Sequence, residues 1–323
     1  MNRILITGGA GFIGSHVADR VASEFPDAQI VILDKMTYAA DMENVLHLLV
    51  RGQRSLVVGD LCDAALCVKL TRDVDCIIHL AAESHVDNSF GNSIHFSESN
   101  VLGTHTLLEA CRQNKVSKII HVSTDEVYGE IESGWHFEPD VLNPTNPYSA
   151  SKAAAEMIVR GYRMSFRMPI ITVRANNIFG ARQFPEKIIP RFTMQAMLGR
   201  RFTIHGNGLN RRHYLAAEDF ADAIIRLINK GVDGETYNIG SEEEYTNIEV
   251  RNMIAAHFDI DADDNTELIP DRPFNDCRYA VNCDKIRALG WRPERRLEKR
   301  IGEVIQWYKD NSYRYLHLFP ENN

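Results

Sequence analysis

A phenol, an ammonium, a hydroxyl and two carboxyl groups lie close together in the middle of the chain, in two short motifs. The first motif, Ser123-Thr124-Asp125-Glu126-Val127-Tyr128-Gly129, follows an apolar run that predicts a buried strand over residues 118–122. The second begins a helical pattern and places Tyr148 four residues before Lys152, so both side chains share one helix face. Such groups carry general acid–base chemistry. We therefore expect proton transfers where the strand ends and this helix begins.

The composition limits the possible partners. The 323 residues suffice for one large domain or two smaller ones, and 44% apolar with 25% charged residues is ordinary for a globular protein. The formal net charge of −8 argues against a nucleic acid or an anionic membrane as partner. The apolar start is too short for a signal sequence and no later run reaches spanning length, which predicts a cytoplasmic protein.

The cysteines and histidines show no metal-site spacing. The sequence has neither a CxxC pair nor an HExxH pattern, so we expect no bound metal. In a reducing compartment the six cysteines are most simply small core or surface residues.

A glycine-rich turn near the N-terminus has the context of a dinucleotide site. The turn Thr7–Gly14 follows a short apolar strand and opens a helical pattern, so its glycines would let a pyrophosphate approach the helix N-terminus. A second strand, 29–33, ends at Asp34, twenty residues past Gly14. An acid there binds ribose hydroxyls and repels a 2′-phosphate, which favours NAD over NADP.

Strand-like and helical runs alternate in the first half of the chain, which predicts a parallel, doubly wound sheet with ligands at the carboxyl ends of its strands. Asn100 falls inside a predicted helix, 93–113, where it is either solvated or holds a buried turn near the cofactor. The residues predicted to bind the cofactor are Gly8, Gly11, Phe12, Ile13, Gly14, Asp34, Lys35, Asp60, Leu61, Ala81, Ala82, Asn100, Ser123, Tyr148 and Lys152.

After residue 180 the alternation of strand-like and helical runs becomes less regular and the strands become shorter. Helical runs lie near 186–199 and 218–229. We predict an α/β protein with a Rossmann-like NAD-binding domain over residues 1–180 and a smaller α/β substrate-binding cap over residues 181–323. The border is expected to be interleaved, because segments between 217 and 239 could return to the main sheet.

Taken together, the motifs resemble those of the extended short-chain dehydrogenases/reductases and, within them, the nucleotide-sugar 4,6-dehydratases of deoxysugar biosynthesis. The glycine-rich turn, the Tyr148-x-x-x-Lys152 pair and the Thr124-Asp125-Glu126 triplet carry the resemblance. Further matching stretches extend it over nearly the whole chain: Ala82–Asp87, Asn143–Tyr148, Pro185–Pro190, Tyr237–Gly240 and Asp271–Pro273.

One stretch departs from the bacterial dTDP-glucose 4,6-dehydratases. Those usually read Arg-Pro-Gly-His-Asp where this chain reads Arg272-Pro273-Phe274-Asn275-Asp276. Together with Gln183–Lys187, this version is closer to the UDP-glucose 4,6-dehydratase module of plant-type rhamnose synthases. The nucleobase therefore stays open between thymine and uracil.

The resemblance implies a reaction that oxidises the sugar at C4, eliminates water across C5 and C6 and returns the hydride to C6, with tightly bound NAD regenerated each turnover. Tyr148 is then the base for the 4-hydroxyl, and Lys152 favours its phenolate and binds the ribose. Thr124 holds the C4 oxygen. By the same resemblance Asp125 is the acid and Glu126 the base of the elimination. Spacing alone leaves open that the acidic pair only caps the next segment.

Arginine is well suited to bind the anionic diphosphate of such a substrate, because its planar guanidinium group contacts phosphate through two N–H donors. Arg212 and Arg272 are the predicted ligands, and the adjacent Arg211 could be mistaken for Arg212. The further predicted substrate contacts are His85, Thr124, Asn177, Lys187 and Asn275.

Proteins with either of two other functions would show most of these sequence features. A nucleotide-sugar 4-epimerase would use the same fold and cofactor, but epimerases of the superfamily generally lack the acidic pair at 125 and 126. A catalytically inactive dinucleotide-sensing protein would be expected to have lost Thr124, Tyr148 or Lys152, and all three are present.

Two expectations concern the regions around the site. The resemblance implies a homodimer formed through the helices predicted around 93–113 and 146–166. The polar segment 130–145 contains Gly134 and Pro139 and is predicted to be a loop. We hypothesise that this loop helps to exclude water from the site.

Overall fold

Short aliphatic runs form the strands, as expected for a sheet that is buried on both faces. The computed structural model describes residues 1–50 and 52–320. Its strands are β1 (Arg3–Thr7), β2 (Gln29–Asp34), β3 (Arg54–Val58), β4 (Cys76–His79), β5 (Lys118–Thr124), β6 (Ile170–Ala175), β7 (Asn177–Phe179), β8 (Phe202–His205), β9 (Arg211–Ala216), β10 (Thr236–Ile239), β11 (Glu244–Thr246) and β12 (Thr266–Ile269).

The helices connect these strands and cover the sheets. They are α1 (Phe12–Glu24), α2 (Leu46–Leu49), α3 (Ala64–Leu70), α4 (Val86–Gly91), α5 (Ser93–Phe96), α6 (Gly103–Asn114), α7 (Pro147–Phe166), α8 (Ile188–Met197), α9 (Ala217–Lys230), α10 (Asn247–Ala256), α11 (Asp284–Ala288) and α12 (Leu297–Asp310). None of the described helices is long and apolar enough to cross a bilayer.

Seven strands form one sheet in the order β10-β6-β5-β4-β1-β2-β3, and every neighbouring pair is parallel. Their carboxyl ends therefore lie along one edge of the sheet. Two smaller sheets, β11-β9-β7 and β12-β8, form a second layer around an apolar cluster that includes Phe192, Phe202 and Tyr308. The predicted α/β, Rossmann-like sheet is confirmed.

The two layers interleave along the chain. Helix α9 packs against α1 and leads into β10, which pairs with β6 in the main sheet. The chain leaves the main sheet after β6, and the next strand, β7, pairs with β9 in the second layer. Residues 217–239 thus belong with the main sheet, while the two-domain division at residue 180 stays a prediction.

The predicted helix 93–113 is not one continuous α-helix. It consists of α5, a π-helical turn over Ser97–Leu102, and α6. Asn100 lies in the π-helical turn and is 1% exposed. Its amide group exchanges hydrogen bonds with the backbone of Glu83 at 2.8 and 3.0 Å and donates to the Ser151 hydroxyl at 2.9 Å. Of the two alternatives for Asn100, the structure has the buried turn, and π-helical turns are frequent at functional sites.

A buried ion pair connects α7 to the main sheet. Arg174, on β6, donates to the carboxylate of Glu156 at 2.6 to 3.1 Å, and only 7% and 4% of the two side chains are exposed. The same guanidinium stacks on the Tyr128 ring at 4.6 Å and donates to its hydroxyl at 2.7 Å. Removing one partner of such a pair leaves the other charge buried without compensation.

We expect Glu156→Ala to lower the free energy of unfolding by about 3–5 kcal/mol, because Arg174 would keep its buried charge without a counter-charge. Denaturant-induced unfolding measures this change. Glu303→Ala is the control, since Glu303 forms an exposed ion pair with Arg300 on α12 and its loss should cost less than about 1 kcal/mol. Equal losses in the two variants would contradict the structural role of the buried pair.

Candidate active site

A cavity of about 450 Å³ lies at the carboxyl ends of the main sheet, and residues of β8 and β9 line its opposite side. The predicted site residues line this cavity, with the exceptions of Asn100 and Asp125. Those that line it are Gly8, Gly11, Phe12, Ile13, Gly14, Asp34, Lys35, Asp60, Leu61, Ala81, Ala82, His85, Ser123, Thr124, Glu126, Tyr148, Lys152, Asn177, Lys187, Arg212, Arg272 and Asn275.

The glycine-rich turn brings backbone amides to one end of the cavity. Gly8 has a φ of +71°, and a Cβ there would lie 2.7 Å from the backbone of Ala81. A Cβ on Gly14 would lie 2.0 Å from the carbonyl oxygen of Gly8, so glycine is needed for α1 to begin this close to β1. Gly11 is the N-cap of α1, and among the residues that the structure describes no side chain caps this end. The first amides of α1 can therefore bind an anion.

Other polar groups in this part of the cavity fit a dinucleotide. Asp34, at the end of β2, accepts from two backbone amides at 2.9 and 3.0 Å, and burial raises its pKa. Lys35 pairs with Asp60 at 2.7 Å. The buried Ser123 hydroxyl has no hydrogen-bond partner within the described residues. An acid for ribose hydroxyls, a helix N-terminus for a pyrophosphate and an unused hydroxyl suit NAD.

Helix α7 presents Tyr148 and Lys152 to the cavity from its first turns. The helix begins with a capping box between Asn146 and Ser149 and has a proline in its first turn, which fixes where it starts. The Lys152 ammonium donates to the carbonyl oxygen of Val122, on β5, at 2.8 Å. Burial lowers the pKa of Lys152 to about 8.

The pKa of Tyr148 shifts in the opposite direction to the one expected from the sequence. Desolvation raises it above the ordinary value for tyrosine, and the charge of Glu126 adds to this effect. The Thr124 hydroxyl acts in the opposite direction and lowers the pKa of Tyr148. The Tyr-x-x-x-Lys spacing indicated a phenolate favoured by Lys152, but spacing carries no information on desolvation.

Asp125 and Glu126 occupy different environments although they are adjacent. Asp125 is 3% exposed and lies behind Thr124, whose hydroxyl donates to its Oδ1 at 3.2 Å, while Asn176 Nδ2 donates to its Oδ2 at 2.8 Å. Desolvation and the charge of Glu126 raise the pKa of Asp125 to about 7. Glu126 lines the cavity and accepts from Asn146 Nδ2 at 3.3 Å. Desolvation raises its pKa as well, against the effect of nearby cationic side chains.

The short turn that follows β5 does not use the acidic pair as its cap. Thr124 is its N-cap, and the Thr124 hydroxyl accepts from the amide of Glu126 at 3.3 Å. Both carboxyl groups are thus left for other contacts. A carboxyl group that is partly protonated near neutral pH, beside a second one that faces the cavity, can supply both an acid and a base.

Sequence reasoning missed two asparagines that position the acidic pair. Asn146 holds Glu126 and also begins α7, and an Asn before a proline and a helical pattern is an N-cap signal that could have identified it. Asn176 holds Asp125, from a position 51 residues later in the chain. Only the pairing of β5 with β6 brings these two residues together.

The adjacent arginines Arg211 and Arg212 differ in their partners. Arg212 lines the cavity, stacks on Tyr279 at 4.7 Å and donates to backbone carbonyl groups at 2.8 to 3.3 Å. Arg211 is exposed and pairs with Glu244 at 3.4 Å. Within the described residues no carboxylate pairs with Arg212, so its charge is available to an anion in the cavity.

The other predicted substrate contacts already bind groups of the protein. Arg272 pairs with Asp87 at 2.5 Å, and a ring nitrogen of His85 lies 3.5 Å from the same carboxylate. The Lys187 ammonium donates to a backbone carbonyl at 3.1 Å. A substrate would have to compete with these contacts. Asn177 and Asn275 also line the cavity, and the Asn275 amide donates to Asp271 at 2.8 Å.

The loop 130–145 packs against residues 278–282. The amides of Ile131 and His136 donate to the carbonyl oxygens of Arg278 and Ala280 at 3.1 and 2.9 Å. The part of the cavity wall that the structure describes contains no residue of this loop. Its hypothesised role in excluding water stays a prediction.

The structure combines a doubly wound sheet and a glycine-rich turn with a helix that presents Tyr and Lys and with a second layer across the same cavity. These features define an extended short-chain dehydrogenase/reductase. Comparison with known families assigns the chain to one family within this class of enzymes. The chain belongs to the GDP-mannose 4,6-dehydratase family, whose model matches residues 5–304. The resemblance inferred from the sequence motifs is thereby confirmed.

Individual relatives are consistent with this family. A trifunctional UDP-glucose 4,6-dehydratase/UDP-4-keto-6-deoxy-D-glucose 3,5-epimerase/UDP-4-keto-L-rhamnose-reductase of Arabidopsis thaliana is 45% identical over 314 residues, which are 95% of this chain and 47% of the relative. The chain spans about half the length of this and two similar plant relatives. A dTDP-D-glucose 4,6-dehydratase of Dictyostelium discoideum is 40% identical over 98% of this chain and 84% of the relative.

A solved structure matches nearly the whole chain. The dTDP-glucose 4,6-dehydratase of Streptomyces venezuelae, with NAD and TYD bound, has a TM-score of 0.95 and 36% identity to this chain. The match covers 98% of this chain and 99% of that one.

Proposed function

We propose that this protein is an NAD-dependent nucleotide-glucose 4,6-dehydratase that converts dTDP-glucose or UDP-glucose to the 4-keto-6-deoxyglucose nucleotide. The observation that carries the proposal is the different environment of Asp125 and Glu126 beside Tyr148. Eliminating water from a sugar requires both an acid and a base, and a 4-epimerase has no use for the second pair of proton-transfer groups. The printed activities of the A. thaliana, D. discoideum and S. venezuelae proteins support the same reaction.

When bound, NAD supplies the acceptor for the hydride from C4 and the donor of that hydride to C6. The amides at the start of α1 would hold its pyrophosphate, and Asp34 would hold a ribose. The carboxylate of Asp34 disfavours a 2′-phosphate, which supports NAD rather than NADP. Lys152 would contact the second ribose from α7.

Oxidation at C4 requires removal of the proton of the 4-hydroxyl. Tyr148 is the base in this step, and Thr124 binds the oxygen at C4. Both side chains line the cavity at the end of β5, which supports these roles. The bond from Lys152 to the Val122 carbonyl fixes the face of α7 that carries Tyr148.

Elimination follows because the 4-ketone acidifies the proton at C5. Glu126 removes this proton from its position in the cavity wall. Asp125, which lies behind Thr124 rather than in the cavity wall, is the source of the proton for the oxygen at C6, which leaves as water, and Glu126 later returns a proton to C5. The contacts with Asn146 and Asn176 hold the two carboxyl groups apart.

We expect Arg212→Ala to weaken the binding of UDP or dTDP about 10- to 150-fold, since hydrogen bonds to charged groups contribute about 1.5–3 kcal/mol each. Isothermal titration calorimetry with the nucleoside diphosphate measures this change. Arg211→Ala is a matched control, because Arg211 is exposed and pairs with Glu244 outside the cavity. Equal weakening in both variants would contradict the placement of the diphosphate at Arg212.

The test of the proposed function is mass spectrometry of purified protein incubated separately with dTDP-glucose and UDP-glucose, first without and then with added NAD. Loss of one water is the expected result, and the faster substrate identifies the nucleobase. A galactose nucleotide of unchanged mass would identify an epimerase instead. Unchanged substrates under both conditions would contradict the dehydratase and favour the dinucleotide-sensing alternative.

A homodimer and a cytoplasmic location remain predictions. The helices expected at the dimer interface carry exposed apolar side chains, namely Ile94, Leu102, Met157, Met164 and Phe166, which supports an interface there. Size-exclusion chromatography with light scattering measures the mass of the particle directly.

A further inference from the structure

Arg212, the proposed ligand of the substrate diphosphate, is held in place by a neighbouring segment of the chain; this inference rests on the proposed function. The Arg212 guanidinium donates to the carbonyl oxygens of Asp276 and Cys277 at 2.9 and 3.3 Å. The centre of the Tyr279 ring lies 4.7 Å from the guanidinium carbon, so the ring covers one face of the group. Ordering a long side chain costs conformational entropy, so contacts that fix it before a ligand arrives increase the affinity.

The loop 130–145 binds the same segment at both of its ends. At one end the Glu130 carboxylate accepts from the amide of Cys277 at 3.0 Å. At the other end the Thr145 hydroxyl lies 2.8 and 2.9 Å from the two carboxylate oxygens of Asp276, to which it donates. The loop therefore binds both of the residues whose carbonyl oxygens hold the guanidinium.

The Asp276 carboxylate is directed to hydroxyl groups rather than to Arg212. Asp276 is 3% exposed, and its carboxylate accepts from the hydroxyl groups of Thr145 and Tyr279. In the part of the chain that the structure describes, Arg212 contacts only the backbone oxygen of Asp276 and forms no ion pair with its side chain. A buried carboxylate that lost the Thr145 donor would need another partner, and Arg212 lies beside the same residue. Such an ion pair would neutralise the charge that is available to a diphosphate.

We propose that the loop 130–145 positions Arg212 for the diphosphate of the substrate, and that Thr145 and Glu130 are positioning residues that act through this arginine. Neither side chain belongs to the described cavity wall, so their effect on the substrate is indirect. Their loss should therefore lower the affinity for the nucleoside diphosphate and have little effect on the chemistry at the sugar.

The first test is isothermal titration calorimetry of the full chain, saturated with NAD, with UDP and with dTDP. We expect Thr145→Val, which keeps the shape but loses the hydroxyl, to weaken binding about 3- to 10-fold. Thr145→Ser keeps a hydroxyl and should bind like the wild type. In steady-state kinetics with the nucleotide-glucose, Thr145→Val should raise KM by a similar factor while kcat changes less than about twofold.

A double-mutant cycle separates an effect through Arg212 from a general loss of structure. In the Arg212→Ala background, Thr145→Val should change the affinity less than about twofold, because the group that it positions is absent. Equal weakening by Thr145→Val in both backgrounds would overturn the proposal. Wild-type affinity in Thr145→Val, or a loss of kcat with unchanged KM, would overturn it as well.

The other end of the loop provides an independent variant if Thr145→Val does not fold. Glu130 is exposed, and Glu130→Ala should weaken binding at least about twofold. Glu130→Gln keeps an oxygen that can accept from the Cys277 amide and should bind like the wild type. Glu132→Ala is the matched control, because Glu132 is also exposed and lies two residues further along the loop.

The outcomes distinguish this inference from the proposed function. Equal affinities in Glu130→Ala and Glu132→Ala would overturn the role of the loop alone, provided that the wild type binds UDP or dTDP. Absence of binding by the wild type would overturn the proposed function, and this inference with it.

Discussion

Tyr148→Phe is expected to lower kcat by about 10²–10⁴, the range for loss of a positioned proton-transfer group. The change removes one oxygen atom and leaves the ring, the start of α7 and the contact of Lys152 with Val122 in place. Binding of the nucleoside diphosphate should therefore change little, because the substitution leaves Arg212 and its contacts in place. Mass spectrometry measures the rate of water loss, and calorimetry measures the affinity.

Tyr162→Phe is a matched control on the same helix. The Tyr162 hydroxyl donates to Glu109 at 2.9 Å, away from the cavity, so its loss should leave kcat unchanged. A normal kcat in Tyr148→Phe would show that another group removes the 4-hydroxyl proton. A similar loss in both variants would indicate a general effect on α7 rather than loss of a base.

Asp125→Asn is expected to lower the rate of dehydration by a similar factor of about 10²–10⁴. The amide has nearly the same shape as the carboxyl group and still meets Thr124 and Asn176, but it has no acidic proton to give to the oxygen at C6. The rate of water loss measures this effect directly. Asp284→Asn is the control, because that carboxylate is exposed at the start of α11.

The pH dependence provides a second measurement of the same group. Asp125 acts in its protonated form, and its pKa of about 7 means that this form is lost as pH rises through neutrality. The wild-type rate should therefore fall on the alkaline side of about pH 7. On the acid side it should fall as Glu126, whose pKa is also raised, takes up a proton. The observed values belong to the coupled pair. If the residual rate of Asp125→Asn showed the same alkaline decrease, Asp125 would not be its source.

The periodic parts of the chain were predictable, because a buried parallel strand needs a continuous apolar run and a helix needs an apolar stripe. The strand 3–7 and the end of the second strand at Asp34 follow directly from such runs. The π-helical turn at 97–102 could not be predicted in this way, since its stability depends on the contacts of Asn100 with Glu83 and Ser151. These partners are distant in the sequence.

The properties of the site also divide into those that the sequence predicts and those that depend on the folded structure. Motif spacing identified Tyr148, Lys152 and the acidic pair, because residues at the end of one strand and the start of one helix remain neighbours in any such sheet. The direction of the Tyr148 pKa shift and the burial of Asp125 depend on how much water the folded chain excludes. The pairing of Arg272 with Asp87 depends on the second layer. None of these three properties is encoded in local spacing.

The position of β10 at the edge of the main sheet affects how the protein is made. Its partner β6 ends at residue 175, and β10 begins at residue 236, after the helix that packs against α1. During synthesis the growing chain therefore presents an unpaired, apolar strand edge at β6 until residue 239 has emerged. Such edges pair readily with other chains, so nascent molecules are exposed to aggregation during this interval.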